Sequence, residues 1–107
     1  MGNKYYKGSR LGGSPFVFIC FDDDTFETTS LRHICRHSPD GFEWGYGGSG
    51  PADLALSILC DAVGKEDANK FYMDFKWDFI SKFPKESFRI SEGDVKKWIK
   101  DKKEVVG

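Results

Sequence analysis

The sequence lacks a charge excess of either sign. Sixteen Lys and Arg residues against seventeen Asp and Glu residues leave a formal net charge of −1 over 107 residues. Proteins that bind nucleic acid through phosphate contacts usually carry a basic excess or a basic stripe. The main basic run, residues 96–103, alternates with acids and is typical of a solvated helix face. Nucleic acid is therefore an unlikely partner.

Cysteine is scarce, and the apolar runs are short. The sequence has three cysteines, no CxxC pair and no signal-peptide pattern at its start. An odd number of cysteines without paired spacing does not indicate a disulfide scaffold. No apolar run approaches the roughly 18 residues of a membrane span. We therefore expect a reduced, cytoplasmic setting without membrane association.

Aromatic residues, in contrast, are abundant. Ten Phe, four Tyr and three Trp make up 16% of the chain. The length suits one domain, residues 1–107, and a domain of this size is short of buried area, which large rings supply. The aromatics are therefore expected mainly in a dense core. An exposed aromatic binding surface is the second use for so many rings.

The amino-terminal half predicts β-structure. Apolar or alternating stretches at residues 4–10, 16–21, 26–37 and 42–44 are separated by turn signals rich in Gly, Pro and Asp. The connections are too short for crossover helices, so the sheet should be antiparallel. The expected sheet has three to four strands.

The carboxyl-terminal half predicts two to three helices. The first runs over residues 51–63, with Pro51 as its first residue and with Asp53, Ser57 and Asp61 as a narrow solvent stripe. A second, over residues 68–83, carries two apolar rows, one of which includes Trp77. A capping-box pattern at residues 91–94 begins a third helix, and residues 87–90 form an extended link before it. The fold class is α+β, with the sheet packed against these helices.

The glycine-rich stretch GFEWGYGGSGP, residues 41–51, raises a functional question. It contains G-x-G-x-x-G, but no second strand and no suitable acidic residue follow, and no Lys-Ser/Thr pair makes a P-loop. One interpretation is a tight corner into the first helix. The other is an anion site, in which the helix N-terminus at Gly47, Gly48 and Ser49 binds the ligand and Trp44 and Tyr46 stack on it.

Other residues have weaker claims to chemistry. If extended, residues 31–38 place His33, Cys35 and His37 on one strand face, which is a weak metal-site pattern. A half-buried strand explains the same residues. The carboxylates of residues 22–27 are typical of a solvated turn. No nucleophile motif is present, so we expect no catalytic residues, no cofactor and no enzymatic activity.

The string GFEWGYGGSGPADLALSIL, together with YYKGSR, RHSPDGFEW and FKWDFI, resembles a family of small uncharacterised proteins of bacteria, phages and mobile elements. The family is catalogued as a domain of unknown function, and the resemblance covers nearly the whole chain. It implies a setting, that of a compact accessory protein encoded by a phage. It implies no activity and no residue roles.

Two functions remain open. The first is a non-catalytic protein that binds and inhibits a host protein, with an interface built from Trp77 and the glycine-rich loop. The second is a binder or sponge of a small anionic ligand such as a nucleotide, or a small enzyme acting on it, with the ligand at Gly47, Gly48 and Ser49.

Overall fold

The fold is an antiparallel sheet with helices on one face. The computed structural model describes residues 3–22, 28–33 and 41–106. In chain order, its elements are β1 Asn3–Leu11, β2 Ser14–Asp22, β3 Thr28–Ser30, α1 Ser49–Val63, α2 Lys65–Asp78, a 3-10 turn at Ile80–Lys82, β4 Phe88–Ser91 and α3 Glu92–Val106. The predicted α+β class, with four strands and three helices, is confirmed.

A tight hairpin organises the sheet. Strands β1 and β2 pair from Asn3↔Asp22 to Leu11↔Ser14, and the turn between them consists of Gly12 and Gly13. Their φ angles of 57° and 86° suit a type I′ turn, which matches the natural twist of a hairpin and favours glycine. The strand order is β3-β2-β1-β4, and every pairing is antiparallel.

The fourth strand is not the one predicted. Residues 42–44 have no regular structure, whereas residues 88–91, expected as an extended link, form β4 and pair with β1. Phe88 and Ile90 point into the core and Arg89 points outward, which is the period of two that a strand requires. The third strand is shorter than expected, since only residues 28–30 are strand within the described part of residues 26–37.

Helices α1 and α2 follow each other almost without a break. Gly64 separates them with φ of 93°, and its N–H donates to the carbonyl of Cys60 at 3.0 Å, closing α1. Helix α2 begins at Lys65, three residues before the predicted start, and ends at Asp78 instead of residue 83. The chain then tightens into the 3-10 turn.

The observed starts of α3 and α1 can be compared with the starts that the sequence predicts. The N–H of Asp94 donates to the Ser91 hydroxyl at 3.0 Å, so Ser91 caps α3 as its pattern indicates. Helix α1 begins at Ser49, so Pro51 is its third residue and not its first. The shift is tolerated because the third residue of a helix also lacks a backbone acceptor for its N–H.

The core lies between the sheet and α1. Leu54, Ile58 and Leu59 of α1 are fully buried against Tyr6 and Val17 of the sheet. On α2 the row containing Phe71 and Phe75 faces the core, while Met73 and Trp77 of the other row face solvent. Within the described residues, no helix combines the length and apolar character needed to cross a bilayer.

Candidate functional site

The glycine-rich loop is attached to the helical layer by its backbone. Gly41 and Gly45 have φ of 90° and 89°, a region that other residues rarely adopt. The Gly45 N–H donates to the carbonyl of Ile80 at 2.9 Å. This bond holds the loop against the 3-10 turn, just after α2. The glycines at these two positions are required by the path of the chain.

The next glycines are required by packing. A Cβ atom at Gly47 would collide with the indole ring of Trp77, and one at Gly48 would lie 2.7 Å from Cε2 of Tyr46. Neither residue has a positive φ angle. Gly47 therefore provides a flat seat for Trp77, and Gly48 provides one for Tyr46.

These contacts produce an exposed aromatic surface. Tyr46 is 49% exposed, Trp77 is 53% exposed, and Met73, one helical turn before Trp77, is 44% exposed. We call these three residues the aromatic patch. The Lys76 ammonium lies 4.4 Å from the centroid of the Trp77 ring, a cation–π contact. Of the five large exposed hydrophobic residues in the described part of the chain, three belong to this patch.

The predicted binding residues fall into two groups. The fold brings Tyr46, Gly47, Gly48 and Trp77 together, and Ser49 is exposed beside them as the first residue of α1. No side chain caps α1, whose N-cap residue is Gly48. Among the described residues, the N-terminal N–H groups of α1 therefore have no side-chain acceptor.

Trp44 lies in the core instead of on this surface. It is fully buried, with its ring edge-on to Phe88 at 5.0 Å and the Arg10 guanidinium 4.4 Å from its centroid. Arg10 makes a bidentate pair with Glu43, with N···O distances of 2.8 and 3.2 Å. The Trp44 indole Nε1 has no hydrogen-bond partner in the described structure. Trp44 thus anchors the loop to β1 and β4.

Two of the three residues in the predicted solvent stripe of α1 face the protein, which corrects the expectation for Asp53 and Ser57, whereas Asp61 is exposed as predicted. Asp53 and Ser57 are buried, and His33 Nε2 lies 3.0 Å from Asp53 Oδ2. The His33 ring stacks on Phe42 with centroids 4.3 Å apart. A buried carboxylate needs such partners, because desolvation disfavours its charge. The stripe joins α1 to the segment that follows β3.

At the other end of the stripe, Asp61 is the centre of a charged cluster. The Tyr6 hydroxyl donates to Asp61 Oδ2 at 2.6 Å, and Lys4 Nζ lies 2.6 Å from the same oxygen and 3.2 Å from Glu92. Burial and then the neighbouring Asp61 raise the pKa of Tyr6 well above its ordinary value. Burial lowers the pKa of Lys4, but the bonds to Asp61 and Glu92 outweigh this effect and raise it overall.

The described structure does not assemble a ligand set for the predicted metal site. Cys35 and His37 lie outside the described residues, and His33 is paired with Asp53. Among the residues that the structure describes, no group of three potential ligands is close enough to hold a metal ion. The metal site therefore stays a weak prediction.

The α1 polar stripe is the feature that sequence reasoning misinterpreted. Its spacing of four residues was visible, but the same spacing fits a solvent face and a polar seam within the core. The informative signal was the rest of α1, since almost every other position from 50 to 59 is buried. A helix covered on nearly all sides must bury its polar stripe as well.

A family model matches residues 6–101, most of the described fold from β1 into α3, with the description "Family of unknown function (DUF6166)". The chain belongs to DUF6166. The match spans both the glycine-rich loop and the aromatic patch of this DUF6166 protein, and it agrees with the resemblance to an uncharacterised domain. No curated protein and no solved structure matches the chain significantly.

Proposed function

We propose that this DUF6166 protein is a non-catalytic accessory protein that binds a partner protein through the aromatic patch. One observation carries the proposal: Tyr46 and Trp77 are half exposed, and their rings pack on two consecutive glycines of the loop, Gly48 and Gly47. Tyr and Trp are the residues most enriched among those that dominate binding energy at protein interfaces. The abundant glycines next to them are explained by the seating of the two rings.

The charge of the protein favours a protein partner over nucleic acid. The net charge is −1, and α2, which presents Met73 and Trp77, carries both acidic and basic residues. An interface with an apolar centre and a rim of mixed charge is typical of protein–protein recognition. Following the phage setting that the resemblance implies, we propose that the partner is a host protein and that binding inhibits it.

The test is affinity purification from the protein's own host cell, followed by native mass spectrometry. The tagged wild-type protein is compared with Trp77→Ala and Tyr46→Ala, and with Phe16→Ala as a matched control. Phe16 is also an exposed aromatic residue, 42% exposed, but it lies on β2 away from the patch. Circular dichroism establishes that each variant is folded.

We expect a protein that co-purifies at fixed stoichiometry with the wild type and with Phe16→Ala. Its recovery should fall at least about tenfold with either patch variant, as truncation of an interface anchor commonly causes. A partner retained by both folded patch variants would place the interface elsewhere and refute the assignment. Equal loss with Phe16→Ala would also refute it.

A second function has one observation in its favour. Helix α1 has no side-chain cap, so among the described residues its N-terminal N–H groups at Ser49 and Gly50 have no side-chain acceptor. A small anionic ligand such as a nucleotide would satisfy them. A nucleotide panel should then raise the melting temperature, and Gly48→Val should abolish the shift in a folded protein. No shift across the panel would exclude this alternative.

A further inference from the structure

A cavity of about 270 Å³ opens at the β3 edge of the sheet, away from the aromatic patch. Ile19 of β2, Leu31 after β3 and Cys60 of α1 form its apolar wall. The Ser57 side chain of the α1 polar stripe also lines it. The lining residues come from β2, from β3 and the segment after it, from α1 and from the start of α2.

Two cationic side chains lie at the cavity. Arg32 and Lys65 both line it, and both are exposed. Neither side chain forms an ion pair with another residue in the described ranges 3–22, 28–33 and 41–106. The one acidic residue in the lining, Asp61, is already bonded to Tyr6 and Lys4. Among the described residues, the cavity therefore combines an apolar wall with two cations that form no ion pair.

We propose that this cavity binds a small organic anion. The apolar body of the ligand packs against Ile19, Leu31 and Cys60, and its carboxylate or phosphate group lies between Arg32 and Lys65. This is the usual composition of a ligand site: mostly apolar walls with a few polar groups that fix orientation. Arg and Lys are the side chains that bind carboxylates and phosphates most strongly.

The volume limits the size of the ligand. A water molecule occupies about 30 Å³ of liquid, so the cavity has room for roughly nine waters, or a molecule of about ten non-hydrogen atoms. A benzoate or a phenyl phosphate fits within this volume. The lining of the cavity contains no residue of the glycine-rich loop or of the aromatic patch, so the cavity is a different site from the one considered at the loop, and it is independent of the partner-binding function proposed above.

Cys60 provides a reporter inside the cavity. Its side chain is half-buried in the wall, so a bound ligand covers the thiol. Burial raises the pKa of the Cys60 thiol, and the nearby Lys65 ammonium partly offsets this rise. The thiol consequently reacts slowly, which makes its modification rate easy to follow over time.

The experiment measures the rate of Cys60 modification by N-ethylmaleimide in the whole protein, with peptide mass spectrometry to separate it from the other cysteines. Benzoate, phenyl phosphate and the neutral benzyl alcohol are each added at about 10 mM, ten times a millimolar Kd. The two anions distinguish a carboxylate from a phosphate ligand. Arg32→Gln and Lys65→Gln remove the two cations. Lys70→Gln, which removes an exposed α2 cation paired with Glu66, is the control.

We expect at least one anion to slow Cys60 modification several-fold and to raise the melting temperature, with benzyl alcohol having little effect. Arg32→Gln and Lys65→Gln should each weaken this protection about tenfold, and Lys70→Gln should leave it unchanged. Equal protection by benzyl alcohol would show that the cavity does not select an anion. Absence of protection by both anions, or protection that survives both cation substitutions, would overturn the proposal.

Discussion

Replacing Gly47 by Ala tests whether the aromatic patch depends on its glycine seat. The substitution adds one methyl group at a position where the backbone allows it, because the φ angle of Gly47 is not positive. The added Cβ meets the outer atoms of the Trp77 indole and nothing else closer. The ring must therefore lift off the loop or rotate toward solvent.

The cost follows from the area that the ring covers. Trp77 is 53% exposed, so about half of its side chain, roughly 120 Å² of about 250 Å², is packed against the protein. At about 25 cal/mol per Å², complete displacement of the ring costs about 3 kcal/mol. Partial displacement falls in the range of about 1–3 kcal/mol that is usual for overpacking. We expect Gly47→Ala to lower the free energy of unfolding by about 1–3 kcal/mol.

Urea denaturation followed by circular dichroism measures the change, and tryptophan emission reports the position of the ring. Gly93→Ala is the matched control, since its Cβ would lie 3.9 Å from the nearest heavy atom, Ser91 Oγ, in the first turn of α3. The control should be neutral or stabilising by up to about 1 kcal/mol. In a Trp77→Ala background the Gly47→Ala penalty should disappear. If Gly47→Ala is still destabilising in the Trp77→Ala background, or is not destabilising in the wild-type background, the proposed packing of Trp77 on Gly47 is refuted.

Three further predictions concern the α1 polar stripe. His33→Ala leaves the buried Asp53 carboxylate without one of its partners and should cost about 3 kcal/mol in urea denaturation; an unchanged midpoint would contradict a stabilising pair. Tyr6→Phe removes only the hydroxyl that donates to Asp61 and should cost about 1.5–3 kcal/mol by the same assay. The pKa values of Tyr6 and Lys4 are raised above 10.0 and 10.5, so the folded state holds both protons more tightly than the unfolded chain. Their contribution is complete below about pH 10 and is lost as the pH rises further. Circular dichroism across the alkaline range should show that Tyr6→Phe loses stability less steeply with rising pH than the wild type does. Parallel stability curves for the two proteins would exclude this effect.

The sequence predicted correctly those parts of the fold that depend only on neighbouring residues, such as turns, helix caps and the burial of a helix. The Gly12-Gly13 pair terminates β1 and starts β2 because a type I′ turn needs two positive φ angles. Ser91 caps α3, as its capping pattern indicates. The embedded character of α1 follows from its nearly continuous apolar composition. In each case the residues that decide the outcome lie within one element or one turn.

The fourth strand escaped prediction because its partner is distant in sequence. Strand β4 has four residues, and its pairs with β1 join positions 80 to 86 apart, from Gly8↔Phe88 to Tyr5↔Ser91. Four residues give too little periodicity to distinguish a strand from an extended link. The available hint was Gly8 inside a strand pattern, which often marks a close approach by another element. The Phe88 ring lies where a Gly8 Cβ would stand.

In the candidate site, too, the sequence predicted individual residues but not the contacts between elements distant in sequence. Sequence reasoning named Tyr46 and Trp77 separately, but their approach depends on how α2 packs beside the loop. Trp44 and Trp77 look alike in sequence, yet one is fully buried and the other is half exposed. The cavity near Cys60 is lined by residues of β2, β3, α1 and α2, so no residue pattern within one element could predict it.

The contact of Trp77 with Gly47 has a consequence for the thermodynamics of the proposed partner binding. A freely rotating surface side chain loses about 0.5–1.5 kcal/mol of rotamer entropy when a partner immobilises it. The Trp77 ring has already lost this freedom on folding, through its contact with the loop and with Lys76. The patch is thus preorganised, and binding of the proposed partner would not have to repeat the ordering of Trp77 that folding completed.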